Sequence, residues 1–294
     1  MKKPPISYYG GKQRMAHNII PLIPKHTVYV EPFAGGAAVF FMKPWPNIKN
    51  SNHYREVIND SNQALMNFYR VLQQNGEELI NRLLVSPYSK QQYTESKDLE
   101  IGDDKVEAAY RYFINANQSF ANVINGGWGK NIYGPNSAYK WANKIKDLDK
   151  YLERMVGVYI DSDDAINVIK NWDSPQTFFY CDPPYPETNQ GHYRGYKKED
   201  FTRLIQTLDS CQGSFILSNY DQPDAEIPTD WERHTFSAKC TARKRIGHDH
   251  TSVNTDSTQG SERTEIIWRR LAQTTPRKEI LELYNSGMFD CFKG

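Results

Sequence analysis

Cysteine is scarce in this 294-residue chain. Its four copies, Cys181, Cys211, Cys240 and Cys291, are scattered and form no CxxC pair. Neither a zinc site nor a disulfide framework is indicated, and a reducing, cytoplasmic setting fits. His17, His26, His53 and His192 lack metal-ligand spacing, so no metal is expected. An excess of charge is missing too: 36 basic residues face 35 acidic ones, for a net charge of +1. Overall charge therefore names no partner, and a nucleic-acid contact would need a local basic face. Long apolar runs are absent. The most apolar stretch, residues 28–42, is broken by Glu31 and Pro32, and nothing approaches the roughly 18–20 apolar residues of a membrane span. Lys2-Lys3 is followed by Pro4-Pro5 rather than by the apolar core of a signal peptide. There is no GxGxxG, so a dinucleotide pyrophosphate is a poor fit.

What is present suits a soluble globular chain, with 38% hydrophobic and 24% charged residues. The length allows about two domains, or one large α/β domain carrying an insertion. Val28-Tyr29-Val30 reads as a short buried strand. It ends at Glu31-Pro32, turns through Phe33-Ala34-Gly35-Gly36 and enters a helix over 37–42. Strand, small-residue turn and helix in that order make a nucleotide-type α/β unit. Val57-Ile58-Asn59 reads as a second strand, capped by Asp60. The helix over 61–72 follows, with Leu65, Phe68, Tyr69 and Leu72 on one face.

Residues 73–155 differ in character, with helix-like ends around a Gly/Asn-rich centre at 125–131. They read as an insertion beside the sheet. Alternation resumes with a strand over 177–181 that ends at Asp182-Pro183-Pro184-Tyr185. A helix over 198–208 has Glu199 and Asp200 in its first turn, and a strand follows over 214–218. Residues 239–263 read as a polar loop, 265–268 as a closing strand, and 271–294 as an appended helix.

Two features stand at the carboxyl ends of strands, where an open α/β sheet binds ligands. In Glu31-Pro32-Phe33-Ala34-Gly35-Gly36 the small residues let the backbone approach a ligand and leave helix amides for a carboxylate. An ordinary tight turn would look the same. Asp60 could take ribose hydroxyls or cap the helix after it. In Asp182-Pro183-Pro184-Tyr185 two prolines stop the strand and stiffen the backbone. The Asp182 carboxylate and the Pro183 carbonyl then stand as fixed acceptors beside an aromatic ring. That trio suits an exocyclic amino group on a flat ring.

Together with their order, these motifs resemble the Dam-type (D12 class) DNA adenine-N6 methyltransferases, in a phage- or prophage-like branch. The resemblance covers roughly residues 6–270. Ser7-Tyr8-Tyr9-Gly10-Gly11-Lys12 is similar to the family's N-terminal cofactor motif, and the Glu31 to Gly36 turn to its methionine-binding loop. Asn59-Asp60 is similar to its ribose-binding acid, and Asp182-Pro183-Pro184-Tyr185 to its catalytic motif. Residues 215–219 and 263–268 resemble later family strands.

The resemblance implies a Rossmann-like class I S-adenosylmethionine-dependent sheet over 1–72 and 156–270, and a mostly helical target-recognition domain over 73–155. It implies S-adenosyl-L-methionine as cofactor, held by Tyr8, Gly11, Lys12, Glu31, Phe33, Ala34, Gly35, Gly36, Asp60, Asp164 and Asp182. Asp182, Pro183, Pro184 and Tyr185 would form the catalytic set, with Tyr185 stacking on a flipped adenine. Asp164 lies in an acidic run, 161–164, that could equally be a solvated helix start. Cys181, inside the strand, reads as a structural thiol.

Double-stranded DNA is the partner implied, with a restriction endonuclease as a candidate associate and a monomer or weak dimer as the expected state. Asn115, Asn117, Gln118, Asn122 and Asn125 are an amide set that could read adenine edges or cap turns. Asn117, Asn122, Asn125, Lys130, Tyr193, Arg243, Lys244 and Arg245 are the DNA-binding candidates, the last three in the one clear basic cluster. The alternatives are methylation of RNA adenine, cytosine N4 or a protein amide, or a DNA-binding protein that has lost catalysis. An Asp at the head of the catalytic motif favours adenine in DNA.

Overall fold

The computed structural model describes residues 3–8, 11–44, 54–184, 196–220, 226–239 and 262–272. Among them one sheet is built from β1 (Val28–Glu31), β2 (Arg55–Asn59), β3 (Val158–Asp161), β4 (Thr177–Cys181), β5 (Ser214–Tyr220), β6 (Glu232–Lys239) and β7 (Glu262–Arg270). The strand order is β3-β2-β1-β4-β5-β7-β6. Strands β1 to β5 are parallel, and β7 runs antiparallel to β5 and β6. The order reverses between β1 and β4, which opens a crevice outside their carboxyl ends. This is the α/β sheet expected.

The central strands are apolar throughout because both sheet faces are covered. Alternation still sorts their side chains. Tyr29, Ile58, Phe178, Tyr180 and Ile216 enter one core, and Val30, Val57, Phe179, Phe215 and Leu217 the other. The second core is covered by α9 (Ala165–Trp172) and α10 (Lys198–Ser210), through Val168, Ile169, Phe201, Leu204 and Leu208. Each such Leu or Phe contributes about 1.5–3 kcal/mol by leaving water. Lys197 N donates to Asp200 Oδ2 at 2.9 Å, so the acidic first turn seen in the sequence caps α10.

The first core is covered by α1 (Ala16–Ile19), α2 (Ala38–Met42), α3 (Gln63–Gln74) and the inserted helices. These are α4 (Gly76–Leu84), α5 (Lys90–Glu95), α6 (Lys105–Gln118), α7 (Ser137–Lys146) and α8 (Asp149–Met155). They extend that core rather than enclosing one of their own. Phe113 of α6 stacks on Phe68 of α3 with centroids 5.6 Å apart, and Trp141, Ile145 and Met155 share a buried cluster with Phe41 and Ile58. Two ties hold the root of the insertion. Gln73 Nε2 donates to Met155 O at 2.7 Å and to Val158 O at 2.8 Å. Arg154 of α8, buried over the Phe40 ring, pairs with both Glu56 oxygens at 2.5 and 2.8 Å. Lys43 closes on the same carboxylate.

Strands β3 and β6 have no counterpart in the sequence reading. Both are sheet edges with a single neighbour. The polar run Glu232-Arg233-His234-Thr235 gives β6 no apolar signature, whereas β3 carries Val158-Tyr159-Ile160, an apolar run that the sequence reading passed over at the end of the insertion. The presumed loop over 239–263 is also shorter than read, since Lys239 pairs with Glu262 in the β6–β7 ladder. Its interior, 240–261, lies outside the described residues. The cap of α3 is Asn62, whose side chain accepts from Leu65 N at 3.1 Å, and not Asp60. Ala272 N donates to Ser214 Oγ, and the helix expected beyond it falls outside the described residues from 273 on. No helix among the described residues is long and apolar enough to cross a membrane.

Candidate active site

The crevice is walled on one side by the turn after β1. Gly35 adopts φ +49°, and Ala37 follows at φ +51° before α2 begins. Glycine accepts that region freely, whereas an alanine pays about 1–2 kcal/mol for it. The turn is held from β2. Ala34 N donates to Asn59 O at 2.8 Å, and the Asn59 side chain donates to Pro32 O at 2.9 Å. Asp60 accepts Gly35 N on Oδ2 and Asn62 N on Oδ1, both at 2.9 Å. Tyr69 of α3 donates its hydroxyl to Gly35 O at 3.3 Å. Three side chains thus fix the shape of one glycine turn.

Glu31 is buried, and its Oε1 accepts from Tyr29 Oη at 2.6 Å and from Phe40 N at 2.7 Å. Burial pushes its pKa up to about 8, although both hydrogen bonds pull the other way. Phe33 meets Tyr196, just before α10, edge to face at 6.3 Å. The N-terminal segment lies over the same turn. A Cβ on Gly36 would stand 3.0 Å from Tyr8 Cβ and 3.1 Å from Ile6 O, and one on Gly35 would stand 3.3 Å from the Tyr8 ring. The glycines therefore let Tyr8 lie directly on the turn. Gly11 N donates to Tyr8 O at 3.1 Å, and this turn carries Lys12 inward.

The other wall is the end of β4. Lys12 Nζ reaches Asp182 Oδ1 at 2.7 Å and Glu265 Oε1 of β7 at 3.2 Å. Ser218 of β5 donates to that same Glu265 oxygen at 2.7 Å. Lys12 is 6% exposed and Asp182 20%. Burial opposes the lysine charge, yet Asp182 and Glu265 together hold its pKa above the ordinary value. Pro183 and Pro184 are buried, so the backbone after β4 is braced by packing as well as by ring geometry. The neighbouring Cys181 is buried, and burial raises its thiol pKa far above the usual range, so it is no thiolate nucleophile.

Asp164 follows β3, the neighbour of β2. It is exposed and caps α9, with Oδ1 accepting Ile166 N at 2.8 Å. Its neighbour Asp163 is the one tied to Asn59. Tyr185 and Tyr193 lie outside the described residues, as do Arg243, Lys244 and Arg245.

Beside the crevice, a cavity of about 600 Å³ separates the N-terminal segment from the insertion. Ser7 and Gln13 line it next to Tyr8 and Lys12. Asn117, Asn122, Lys130, Lys140 and Lys144 line it from the insertion. Lys144 bridges the two walls, donating to Ser7 Oγ at 2.8 Å and to Asn117 Oδ1. Burial and the charge of Lys3 bring its pKa down to about 7. Phe120, 63% exposed, stands at the rim.

The amide set divides between the two roles weighed for it. Asn115 and Asn125 bond to each other, side chain to side chain at 2.7 Å and Asn125 N to Asn115 Oδ1 at 2.8 Å. Gln118 is buried on Pro87 O. These three hold a small hairpin, closed by the Ser119–Trp128 bridge. Asn117 and Asn122 face the cavity. Sequence reasoning did not single out Tyr69 or Lys144 for the site, and it named Asn59 only as the neighbour of Asp60. Each sits inside an element with an ordinary structural pattern. Among the described residues, no three His, Cys, Asp or Glu side chains cluster as a metal site would.

The donor set fits S-adenosyl-L-methionine. The turn offers a backbone that a ligand can approach closely, Asp60 is an acid at the end of β2, and Tyr8 is an aromatic ring laid on the turn. Residues 8–242 match the family described as D12 class N6 adenine-specific DNA methyltransferase. The chain is similar to the type II methyltransferase M1.LlaDCHI of Lactococcus lactis subsp. cremoris, with 30% identity over 83% of this chain and 93% of that protein. It is similar to the DNA adenine methylase of Escherichia coli (strain K12), with 24% identity over 74% of this chain and 80% of that one. It is also similar to the DNA N-6-adenine-methyltransferase of Escherichia phage P1, with 26% identity over 73% of this chain and 29% of the longer phage protein.

Proposed function

The chain belongs to the D12 class of N6 adenine-specific DNA methyltransferases, and on that footing we propose that it methylates adenine within a short defined DNA sequence through the Lys12–Asp182 site. The observation that carries this reading is the 2.7 Å pair between Lys12 and Asp182, set at the strand-order reversal opposite the glycine turn. S-adenosyl-L-methionine supplies an electrophilic methyl group on a sulfonium sulfur. Tyr8, the turn over 33–36 and Asp60 would hold it against the sheet.

The work of the chain is to present N6. An adenine must leave the duplex for its amino group to reach the crevice. Lys12 donates to Asp182 Oδ1 and so fixes the plane of the carboxylate. We assign the N6 hydrogens to Asp182 Oδ2 and the Pro183 carbonyl. Two accepted N–H bonds turn the nitrogen lone pair out of the ring's conjugation and toward the donor. Tyr185 is assigned the face of the flipped ring. No covalent enzyme intermediate is required, and positioning supplies most of the acceleration.

The cavity is the proposed DNA entry. Lys130, Lys140 and Lys144 suit phosphates, Asn117 and Asn122 suit base edges, and Phe120 offers a stacking surface. Double-stranded DNA would lie across it, with Arg243, Lys244, Arg245 and Tyr193 as further candidate contacts. A cytoplasmic monomer or weak dimer, alone or alongside a restriction endonuclease, is the accompanying expectation.

Long-read sequencing of DNA from methylation-free cells expressing wild type or Asp182→Ala tests the reading. N6-methyladenine in one short motif, lost in the variant, is the expected result. Near-normal methylation by Asp182→Ala would overturn the assignment of Asp182.

A further inference from the structure

We propose that Glu265 is a positioning residue for methyl transfer, acting on Asp182 through Lys12; the inference rests on the reaction assigned above. Glu265 comes from the one strand that reverses the sheet direction, 83 positions after Asp182 in a chain numbered continuously. It is followed by Ile266, Ile267 and Trp268, all buried and apolar. A carboxylate buried at the head of such a run is costly unless a partner repays its lost hydration. Its described partners are Ser218 Oγ at 2.7 Å and Lys12 Nζ at 3.2 Å, both on Oε1. Lys12 in turn reaches Asp182 Oδ1 at 2.7 Å.

A relay thus runs from β5 through β7 to the N-terminal turn and on to the end of β4. Each link constrains the next. Ser218 fixes which Glu265 oxygen faces the crevice. That oxygen gives the Lys12 ammonium a second direction, so its four-carbon stem is held at two points. An ammonium held at two points presents one N–H to Asp182 in a fixed direction, and the carboxylate plane follows. A carboxylate that must accept one specific N–H of a flipped base benefits directly, because a misplacement of about 1 Å can cost on the order of 100-fold in rate.

Glu265→Gln keeps the size and still accepts from Ser218, but it loses the charge that draws Lys12. The experiment uses full-length protein, unmethylated genomic DNA and radiolabelled S-adenosyl-L-methionine at saturating concentration. Single-turnover rates are measured for wild type, Glu265→Gln, Lys12→Met and the double variant, and cofactor and DNA dissociation constants are measured alongside. The expected result is a rate at least tenfold lower in Glu265→Gln with both dissociation constants within twofold of wild type, and less than a twofold further effect in the Lys12→Met background. Ser218→Ala, which removes only the anchor, should lower the rate three- to fivefold and likewise lose its effect without Lys12; it serves if Glu265→Gln unfolds. A rate within twofold of wild type for the variant, or an effect that multiplies fully with Lys12→Met, overturns the inference. Absence of methyl transfer by the wild type would instead overturn the reaction itself.

Discussion

Asn59 and Asp163 exchange two hydrogen bonds across neighbouring strand ends: Asp163 N donates to Asn59 Oδ1 at 2.8 Å, and Asn59 Nδ2 returns a bond to Asp163 O at 3.1 Å. The same Nδ2 donates to Pro32 O. One amide therefore joins the loops after β1, β2 and β3. Asn59→Ala removes three bonds and leaves the buried Pro32 carbonyl without this donor. We expect a stability loss of about 2–4 kcal/mol in urea unfolding and a weakened cofactor titration. Unchanged stability would mean that water replaces the amide.

Gly36→Ala tests whether Tyr8 must lie on the turn. The added methyl would meet Tyr8 Cβ and Ile6 O at 3.0–3.1 Å, too close for either to stay. Cofactor affinity measured by calorimetry should fall at least tenfold. Gly102→Ala is the control, because nothing lies within 4 Å of its Cβ. Equal behaviour of the two variants would count against the close packing.

Glu31 makes folding depend on pH. Its folded pKa is about 8 against an ordinary 4.5. Between those values the folded protein binds more protons than the unfolded chain, so stability falls as pH rises. Glu31→Gln can accept the same bonds from Tyr29 and Phe40 but does not ionise. The melting temperature of the wild type should drop from pH 5 to pH 8 more steeply than that of the variant. Parallel curves would place the titration elsewhere.

Arg154→Met strips Glu56 of its bidentate partner while Lys43 remains. Breaking a buried pair costs about 3–5 kcal/mol. Because the insertion and the sheet share one core, the loss should shift a single cooperative urea transition rather than split it. Two separated transitions would show that the insertion unfolds by itself.

The central sheet was legible because both of its faces are buried. Strands 28–30, 57–59, 177–181 and 214–218 announced themselves as apolar runs, and the turn after Glu31 and Asp182 stand at the ends of β1 and β4. Edge strand β3 carried the run Val158-Tyr159-Ile160 but was passed over, and edge strand β6 was not legible. Strand β6 pairs through its backbone, and its polar side chains carry no trace of that pairing. Local grammar also misled at Asp60, where an acid before a helix reads as a cap. The chain uses Asn62 for that task and turns Asp60 onto Gly35. The tie between Lys12 and Glu265 spans most of the chain, and no spacing rule connects residues brought together by sheet order alone. Lys144 carries no motif that marks it in the sequence, and only the fold sets it between Ser7 and Asn117.

The root of the insertion has an engineering consequence. Gln73 holds Met155 O and Val158 O with one amide group, so the insertion leaves the end of α3 and returns to β3 at almost the same point. By geometry the whole excursion could be excised with a short splice. Excision would remove part of the cover of one sheet face and take Arg154 from Glu56. Exchange between relatives should therefore be made within the hairpin over 119–128 with Asn125 retained, so that its two bonds to Asn115 still anchor the new tip.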